Sequence, residues 1–244
     1  MKKKNKAIYL LFLMPFVYFA TACFVVWLVK TSGIYPSGSD TMYHVYRGDY
    51  VYNAIKSGNW YPLYDPAWYN GVEILRYWSP FPAYVMAFCQ YLAGGSQFGA
   101  YLFYIGGVCF LGACVWPFIG RGFNRPYLGA FIGLLWFFMP NNLCAIFIEG
   151  NLARSLSMIF LPVFIYSVYK YLYNHKLRYI PLMVFTFLLM ELCHLGYAGM
   201  VAIAVIIYGI VYMIQKGRKK AVLDVVISMI FGFMLLGIWL VASL

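Results

Sequence analysis

The sequence predicts an all-α polytopic membrane protein with about seven transmembrane helices and a long first extracytoplasmic loop that carries interfacial helices. Two observations predict this class. The chain is 64% hydrophobic and only 10% charged, with a mean hydropathy of +0.75, whereas soluble domains carry about 25% charged residues. Several nearly uncharged windows are also long enough for a helix, rising about 1.5 Å per residue, to cross roughly 30 Å of hydrocarbon.

The net charge of +11 is typical of nucleic-acid-binding proteins, but its distribution favours a different explanation. The basic residues cluster in short gaps between apolar segments, where Lys and Arg set the orientation of membrane spans. The sequence therefore predicts no nucleic-acid partner. It predicts a multi-pass protein of the cell membrane, surrounded by membrane lipids.

The first span is predicted over residues 7–29. Four lysines precede it, and the apolar run is longer than the roughly 7–15 residues of a signal-peptide core. We therefore expect an uncleaved transmembrane helix with a cytoplasmic N-terminus. Later apolar segments predict six further spans, over residues 97–119, 127–140, 156–173, 179–193, 197–215 and 221–241.

One apolar segment, 81–93, is too short to cross a bilayer comfortably. Placing it in the outer interface leaves all the basic clusters on the cytoplasmic side. This arrangement predicts seven spans, an extracytoplasmic C-terminus and two substantial outer loops, 30–96 and 141–155. We predict a single transmembrane module over residues 1–244, made of the first span, the loop 30–96 and the spans within 97–244.

The first outer loop holds most of the acidic residues of the chain: Asp40, Asp49, Asp65 and Glu73. Residues 40–57 lack proline and predict a helix, which Ser39 or Asp40 would cap. Within that helix, Asp40 and His44 share one face because they are four residues apart, and Tyr43 and Arg47 lie beside them.

After Gly58 the loop is rich in proline, tryptophan and tyrosine, which is typical of an irregular segment at the headgroup level of a bilayer. A plain structural interpretation of its acids is also open. Three of them would then be solvated or would pair with basic neighbours of the same loop, with Asp49, Asp65 and Glu73 as the acids and Arg47, Lys56 and Arg76 as the bases.

A resemblance to the C-type membrane glycosyltransferases, which share the GT-C fold, rests on four strings of the first loop: SDTMYH at 39–44, IKSGNWYP at 55–62, NG at 70–71 and YWSPFPAY at 77–84. The chain resembles in particular the bacterial branch labelled "6-pyruvoyl-tetrahydropterin synthase-related" membrane proteins, a label that implies no pterin chemistry here. The string EGNLAR at 149–154, Leu161-Pro162 and His194 extend the resemblance along the chain.

The resemblance implies a seven-span N-terminal module of an enzyme that transfers a sugar from a polyprenyl-phosphate donor to a glycan, lipid or protein acceptor. Members usually continue with further helices or an outer domain, so the resemblance implies that the chain is a fragment of a longer protein, a truncated gene product or a minimal version. The resemblance implies that Asp40 is the catalytic base, because an acceptor hydroxyl needs a nearby group to take its proton. No cofactor is certain.

The other candidates are predicted to bind substrate. Arg154 suits the leaving phosphate, because a guanidinium matches phosphate oxygens in a bidentate way, and Glu149 would orient Arg154 or support a divalent metal. His44 and Arg47 lie beside Asp40 in the first loop. Glu191 and His194 lie three residues apart near the outer end of a span, where ionisable groups are costly and usually functional.

Each candidate also has a purely structural interpretation. Asp40 would only cap its helix, and His44 would only bond to Asp40. Glu149 and Arg154 would pair with each other, and Glu191 would share a hydrogen bond with His194. A second class of function stays open as well: a lipid or polysaccharide transporter, or a catalytically silent assembly protein. A transporter is expected to hold its charges near mid-membrane, whereas most carboxylates here lie in outer loops.

Overall fold

The structure is a computed structural model that describes residues 2–68 and 70–243. Tyr69, in the predicted aromatic segment of the first loop, lies outside the described residues. Ten α-helices follow one another in the described part of the chain: α1 Lys2–Ser32, α2 Thr41–Lys56, α3 Phe81–Leu92, α4 Gln97–Gly122, α5 Pro126–Leu135, α6 Pro140–Leu143, α7 Leu152–Asn174, α8 Tyr179–Cys193, α9 Leu195–Lys216 and α10 Lys219–Ser243.

The predicted fold class is confirmed. Within the described residues, six helical segments are long and apolar enough to cross a membrane, and α8 is a shorter apolar helix. The helix predicted for 40–57 is α2, and the short segment predicted for 81–93 is α3, a helix of 12 residues. The six segments are Phe12–Ser32, Gln97–Gly122, Pro126–Ile148, Leu152–Asn174, Leu195–Lys216 and Lys219–Val241.

The predicted second outer loop, 141–155, is wrong in its extent. The chain continues helically beyond α5 through a 3₁₀ turn, Trp136–Phe138, then α6, then a π-helix, Cys144–Ile148. Only residues 149–151 separate this segment from α7. The reason is that Pro140 occupies the first turn of α6, where its missing N–H costs nothing, and the residues after it are mostly apolar. The connection to α7 is thus a tight turn of three residues.

The chain divides into two compact units. Unit 1 comprises the described residues up to Pro62 together with Phe81–Ile159, and unit 2 comprises Leu63–Pro80 together with the described residues from Phe160 onward. The single module predicted over the whole chain stays a prediction.

In unit 1, α4 packs against α1, α3 and α5, and α2 packs against α3. Two of the close contacts require glycine. A Cβ on Gly112 would collide with the Trp136 ring, and a Cβ on Gly120 would collide with the backbone of Gly129. The Tyr18 hydroxyl of α1 donates to the carbonyl of Ala130 at 2.8 Å. These contacts bring α1 and α5 together around α4.

In unit 2, α8 packs against α9 and α10 around an apolar core that includes Phe164, Met183 and Met190. Part of the first loop, Leu63–Pro80, belongs to this unit. It is anchored by the Trp239 indole, which donates to the carbonyl of Leu75 at 2.8 Å. A single antiparallel bridge joins Asp65 to Val72.

Candidate functional site

The candidate site of unit 1 begins where α2 begins. Asp40 occupies the capping position of α2, but its backbone is in the right-handed helical region and its side chain makes no capping hydrogen bond. The predicted cap by Ser39 or Asp40 is therefore wrong. A capping side chain usually needs an extended backbone to reach the free amides of the first turn. The half-buried Asp40 carboxylate is thus not used to cap the helix.

The start of α2 is bound instead to the short turn before α7. The backbone N–H of Asp40 and the hydroxyl of Ser39 both donate to the carbonyl of Glu149, each at 3.0 Å. Gly150 has a φ of +67°, and a Cβ there would collide with the Thr41 hydroxyl and backbone. The close approach therefore requires glycine at position 150.

Glu149 is held from two sides. One carboxylate oxygen, Oε2, forms an ion pair with the Arg154 guanidinium at 2.7 Å, and the other, Oε1, accepts from the Cys144 thiol at 3.3 Å. The predicted pairing of Glu149 with Arg154 is thus confirmed. A second contact fixes the backbone of Arg154, whose N–H donates to the Asn151 side chain at 2.9 Å.

We call the contact between the start of α2 and the turn 149–151 the junction. Two buried polar atoms at this junction have no hydrogen-bond partner among the described residues. They are the hydroxyl oxygen of Thr41 and Nε of Arg154. A buried donor or acceptor without a partner costs about 1–3 kcal/mol. Arg154 therefore pairs with Glu149 through Nη1, while its Nε is a buried donor without a partner in the described part of the chain.

His44 and Arg47 lie further along α2, on the buried side of that helix. The Arg47 guanidinium stacks over the Tyr43 ring, 5.4 Å from its centroid. Burial lowers the pKa of Arg47, and the neighbouring Tyr43 acts in the opposite direction. Burial likewise raises the pKa of Tyr43, with Arg47 lowering it and Asp40 raising it. His44 and Arg47, the two residues of α2 that were predicted to bind substrate, are thus buried, and they follow Asp40 along the helix.

The remaining acids of the first loop have identifiable partners. Glu73 forms the predicted ion pair with Arg76, at 2.5 Å. Asp49 accepts from the Gln90 amide at 2.6 Å, which joins α2 to α3. Asp65 is buried and accepts from the backbone N–H of Ala67 at 2.9 Å. These contacts account for the three acids structurally.

Glu191 and His194 belong to unit 2. Glu191 is only 2% exposed, and its Oε2 has no hydrogen-bond partner in the described part of the chain. His194 Nδ1 accepts from the backbone N–H of Tyr197 at 3.0 Å and thereby caps α9. The mutual hydrogen bond expected between Glu191 and His194 stays a prediction. The backbone carbonyl of Glu191 accepts from the Ser79 hydroxyl at 2.9 Å.

Unit 1 also contains an apolar groove of about 900 Å³ between α1, α3 and α4. Its walls are largely aromatic and aliphatic side chains, such as Phe19, Trp27 and Phe103, and the last turn of α1 contributes Lys30. Ligand pockets in proteins commonly measure about 300–1,000 Å³. The groove has the volume and the apolar walls to hold a lipid chain.

The sequence analysis allowed a divalent metal near Glu149, but few side chains there could ligate one. In the described part of the chain, no three His, Cys, Asp or Glu side chains come together in a way that would hold a metal ion. Both oxygens of Glu149 are already engaged by Arg154 and Cys144. The residues present therefore do not fit a metal centre at this junction.

Sequence reasoning missed three parts of the junction: Thr41, Cys144 and Tyr104. The Tyr104 hydroxyl donates to the carbonyl of Leu152 at 2.9 Å and so joins α4 to the first residue of α7. Cys144 begins a π-helix, which has no simple sequence signal. Such helices are frequent at functional sites. Gly150 gave the one usable signal, since a lone glycine between polar residues indicates a tight turn.

In comparison with protein-family models, residues 75–244 match the family described as "6-pyruvoyl-tetrahydropterin synthase related domain; membrane protein". The matched part includes Glu149, Arg154, Glu191 and His194, whereas Asp40 precedes it. Comparison with curated proteins and with solved structures gives no significant match.

Proposed function

The chain belongs to the 6-pyruvoyl-tetrahydropterin synthase related family of membrane proteins, and we propose that it is a membrane glycosyltransferase. In this proposal a sugar moves from a polyprenyl-phosphate donor to an acceptor hydroxyl on the extracytoplasmic face. The observation that carries the proposal is the junction in unit 1, where a carboxylate not used for capping is bound through its backbone to the turn that positions an arginine.

The reaction is a displacement at the anomeric carbon of the donor sugar. The acceptor oxygen forms a bond to that carbon while the bond from carbon to phosphate oxygen breaks, and the acceptor proton passes to the Asp40 carboxylate. Polyprenyl phosphate leaves. A positioned base typically contributes about 10²–10⁴-fold to such a step.

Arg154 would stabilise the negative charge that develops on the leaving phosphate. Its ion pair with Glu149 at 2.7 Å orients the guanidinium, and its buried Nε has no partner among the described residues. Preorganised donors of this kind are effective because they need no reorganisation during the reaction. Glu149 is then a positioning residue: its backbone carbonyl binds Ser39 and Asp40, and its side chain binds Arg154.

The apolar groove of unit 1 supports a lipid-linked donor in preference to a soluble nucleotide sugar. A polyprenyl chain is uncharged and branched, and the aromatic walls of the groove would bury it favourably. Lys30, in the last turn of α1, adds a positive charge to the lining of the groove. An ammonium group there would attract the phosphate end of the lipid.

The test compares the purified protein in lipid nanodiscs with its Asp40→Asn variant, using a panel of polyprenyl-phosphate sugars and acceptors. We expect sugar transfer by the unmodified protein and a roughly 10²–10⁴-fold lower rate for Asp40→Asn. The matched control is Glu73→Gln, which removes another carboxylate of the first loop from an exposed ion pair and should leave the rate unchanged.

Two results would overturn the proposal at different levels. An unchanged rate for Asp40→Asn would remove Asp40 as the base while leaving the transfer activity standing. No transfer from any donor, by protein that remains folded in the nanodisc, would overturn the glycosyltransferase assignment and favour a transporter or a silent assembly protein.

A further inference from the structure

The end of unit 2 where α7 and α9 terminate carries a dense group of basic side chains. The turn between α7 and α8 and the turn between α9 and α10 lie side by side there, because the Tyr212 hydroxyl of α9 donates to the carbonyl of Leu172 in α7 at 2.5 Å. We name this surface the basic patch and define it by its members: His175, Lys176, Arg178, Lys216, Arg218, Lys219 and Lys220.

The charges of the basic patch are not neutralised within the protein. All seven side chains are exposed, and in the described part of the chain none forms an ion pair with a carboxylate. The acid nearest in sequence, Asp224, accepts a hydrogen bond from the Tyr171 hydroxyl at 2.5 Å. The patch therefore presents a concentrated positive surface to whatever lies outside it.

Two members of the patch are in direct contact. The Arg218 guanidinium donates to Nε2 of His175, which joins the two turns. His175 has a φ of +50°, in the left-handed region that is unfavourable for a non-glycine residue. Gly217 occupies the corresponding position after α9, with a φ of +68°. A histidine is thus held where glycine would fit more easily, and its ring supports an arginine.

Exposed aromatic rings adjoin the patch. Tyr169 and Tyr173 of α7 stack with ring centroids 4.5 Å apart, and both are about 40% exposed, at 38% and 42%. Tyrosine favours the headgroup level of a bilayer. The helices that lead into the patch, α7, α9 and α10, are all long and apolar enough to span a membrane. The patch therefore belongs at the level of the lipid headgroups.

From this arrangement we propose that the basic patch is a binding site for the phosphate headgroup of an acidic phospholipid of the surrounding membrane. Arg218 and Arg178 hold the phosphate oxygens, and His175 orients Arg218. Basic pockets between transmembrane helices are suited to such headgroups. Positive charges that merely orient the chain would be solvated and interchangeable, whereas a built site depends on these particular residues. The inference is independent of the proposed transfer activity.

The test uses native mass spectrometry of the full chain released from nanodiscs that contain phosphatidylcholine with or without phosphatidylglycerol. The variant Arg178→Gln/Arg218→Gln is compared with a matched control, Arg121→Gln/Arg125→Gln, which removes two exposed arginines from the last turn of α4 and from the turn that follows it. We expect phosphatidylglycerol affinity to fall roughly 30-fold in the patch variant, from about 1 kcal/mol per arginine, and to stay unchanged in the control.

A second variant, His175→Gly, separates binding from folding. Glycine relieves the left-handed backbone at position 175, so the fold should be retained while the support of Arg218 is lost, and affinity should fall several-fold. Equal losses in the patch variant and in the control, or no loss in either, would overturn the proposal. So would competition by inorganic phosphate at concentrations equal to that of the lipid, which would indicate a site for free phosphate.

Discussion

Two helix starts, one in each unit, are built alike. Asn151 precedes α7 and accepts from the backbone N–H of Arg154 at 2.9 Å, and His194 precedes α9 and accepts from the backbone N–H of Tyr197 at 3.0 Å. In both, a side chain caps the third amide of the helix that follows. A glutamate lies two or three residues before each cap. The two glutamates nevertheless differ in exposure and in hydrogen-bond partners.

Glu149 is about one-third exposed, at 37%, and both its oxygens have partners, whereas Glu191 is 2% exposed and one of its oxygens has none. The first glutamate therefore contributes to the order of its turn, while the second costs free energy where it stands. A costly buried carboxyl in a membrane protein indicates a functional role. The comparison thus keeps Glu191 a candidate for a functional role within unit 2, whereas the Glu149 side chain is engaged within its own turn.

The largest expected effect distinguishes the backbones of the two helix starts. Gly150→Ala should lower the free energy of unfolding by about 2–5 kcal/mol, because it adds a left-handed residue and a collision with Thr41. Gly196→Ala, in the first turn of α9, meets only the His194 ring at 3.6 Å and should raise stability by about 0.5–1 kcal/mol. Denaturant unfolding in mixed micelles measures both.

Gly33→Ala is the control for the backbone term alone. Gly33 has a φ of +69° and nothing lies within 4 Å of its added Cβ, so only the conformational cost of about 1–2 kcal/mol is expected. If Gly150→Ala costs no more than Gly33→Ala, the close packing of Gly150 against Thr41 contributes nothing and the junction is looser than described.

The fold was largely predictable because spans are long and hydropathy is averaged over many residues. α2 and α3 also follow from the positions of proline and glycine around them. The turn at 149–151 was predicted as a long loop, because asparagine and proline at 140–142 indicate a helix end. Proline is also common in the first turn of a helix, so the sequence fits either a helix end or a new helix at residue 140. Tertiary packing favoured the new helix.

The candidate site was less predictable than the fold. The pairing of Glu149 with Arg154 follows from their spacing and charges, and the structure has it. The hydrogen bond from Asp40 to Glu149 is accepted by a backbone carbonyl, which every residue possesses. No pattern of side chains in the sequence therefore predicts it. The role of His194 as a cap was also hidden, because histidine seldom caps helices and its spacing from Glu191 favoured a different bond.

The second prediction applies one substitution to both glutamates. Glu149→Met should lower the free energy of unfolding by about 1–3 kcal/mol, because Arg154 loses its charged partner. Glu191→Met should raise it by about 1 kcal/mol, because a buried oxygen without a partner is replaced by an apolar group of similar size. Opposite signs in the same unfolding assay would confirm the contrast.

Measurements of sugar transfer by the same two variants extend this test. A gain of stability in Glu191→Met accompanied by a loss of sugar transfer would mark Glu191 as a residue retained for function at the expense of stability. Equal destabilisation by both substitutions would contradict the contrast, since it would mean that the Glu191 carboxyl has a stabilising partner.

The smallest expected effect concerns the second support of Glu149, the Cys144 thiol at 3.3 Å from Oε1. Cys144→Ala removes this donor while the Arg154 ion pair remains, so the free energy of unfolding should fall by about 0.5–1.5 kcal/mol. Cys144→Ser keeps a donor at the same place and should recover most of that loss. The cysteine beside the other helix start, Cys193, is buried. If Cys144→Ala and Cys144→Ser are equally destabilised, the thiol only fills space, and Arg154 alone orients Glu149.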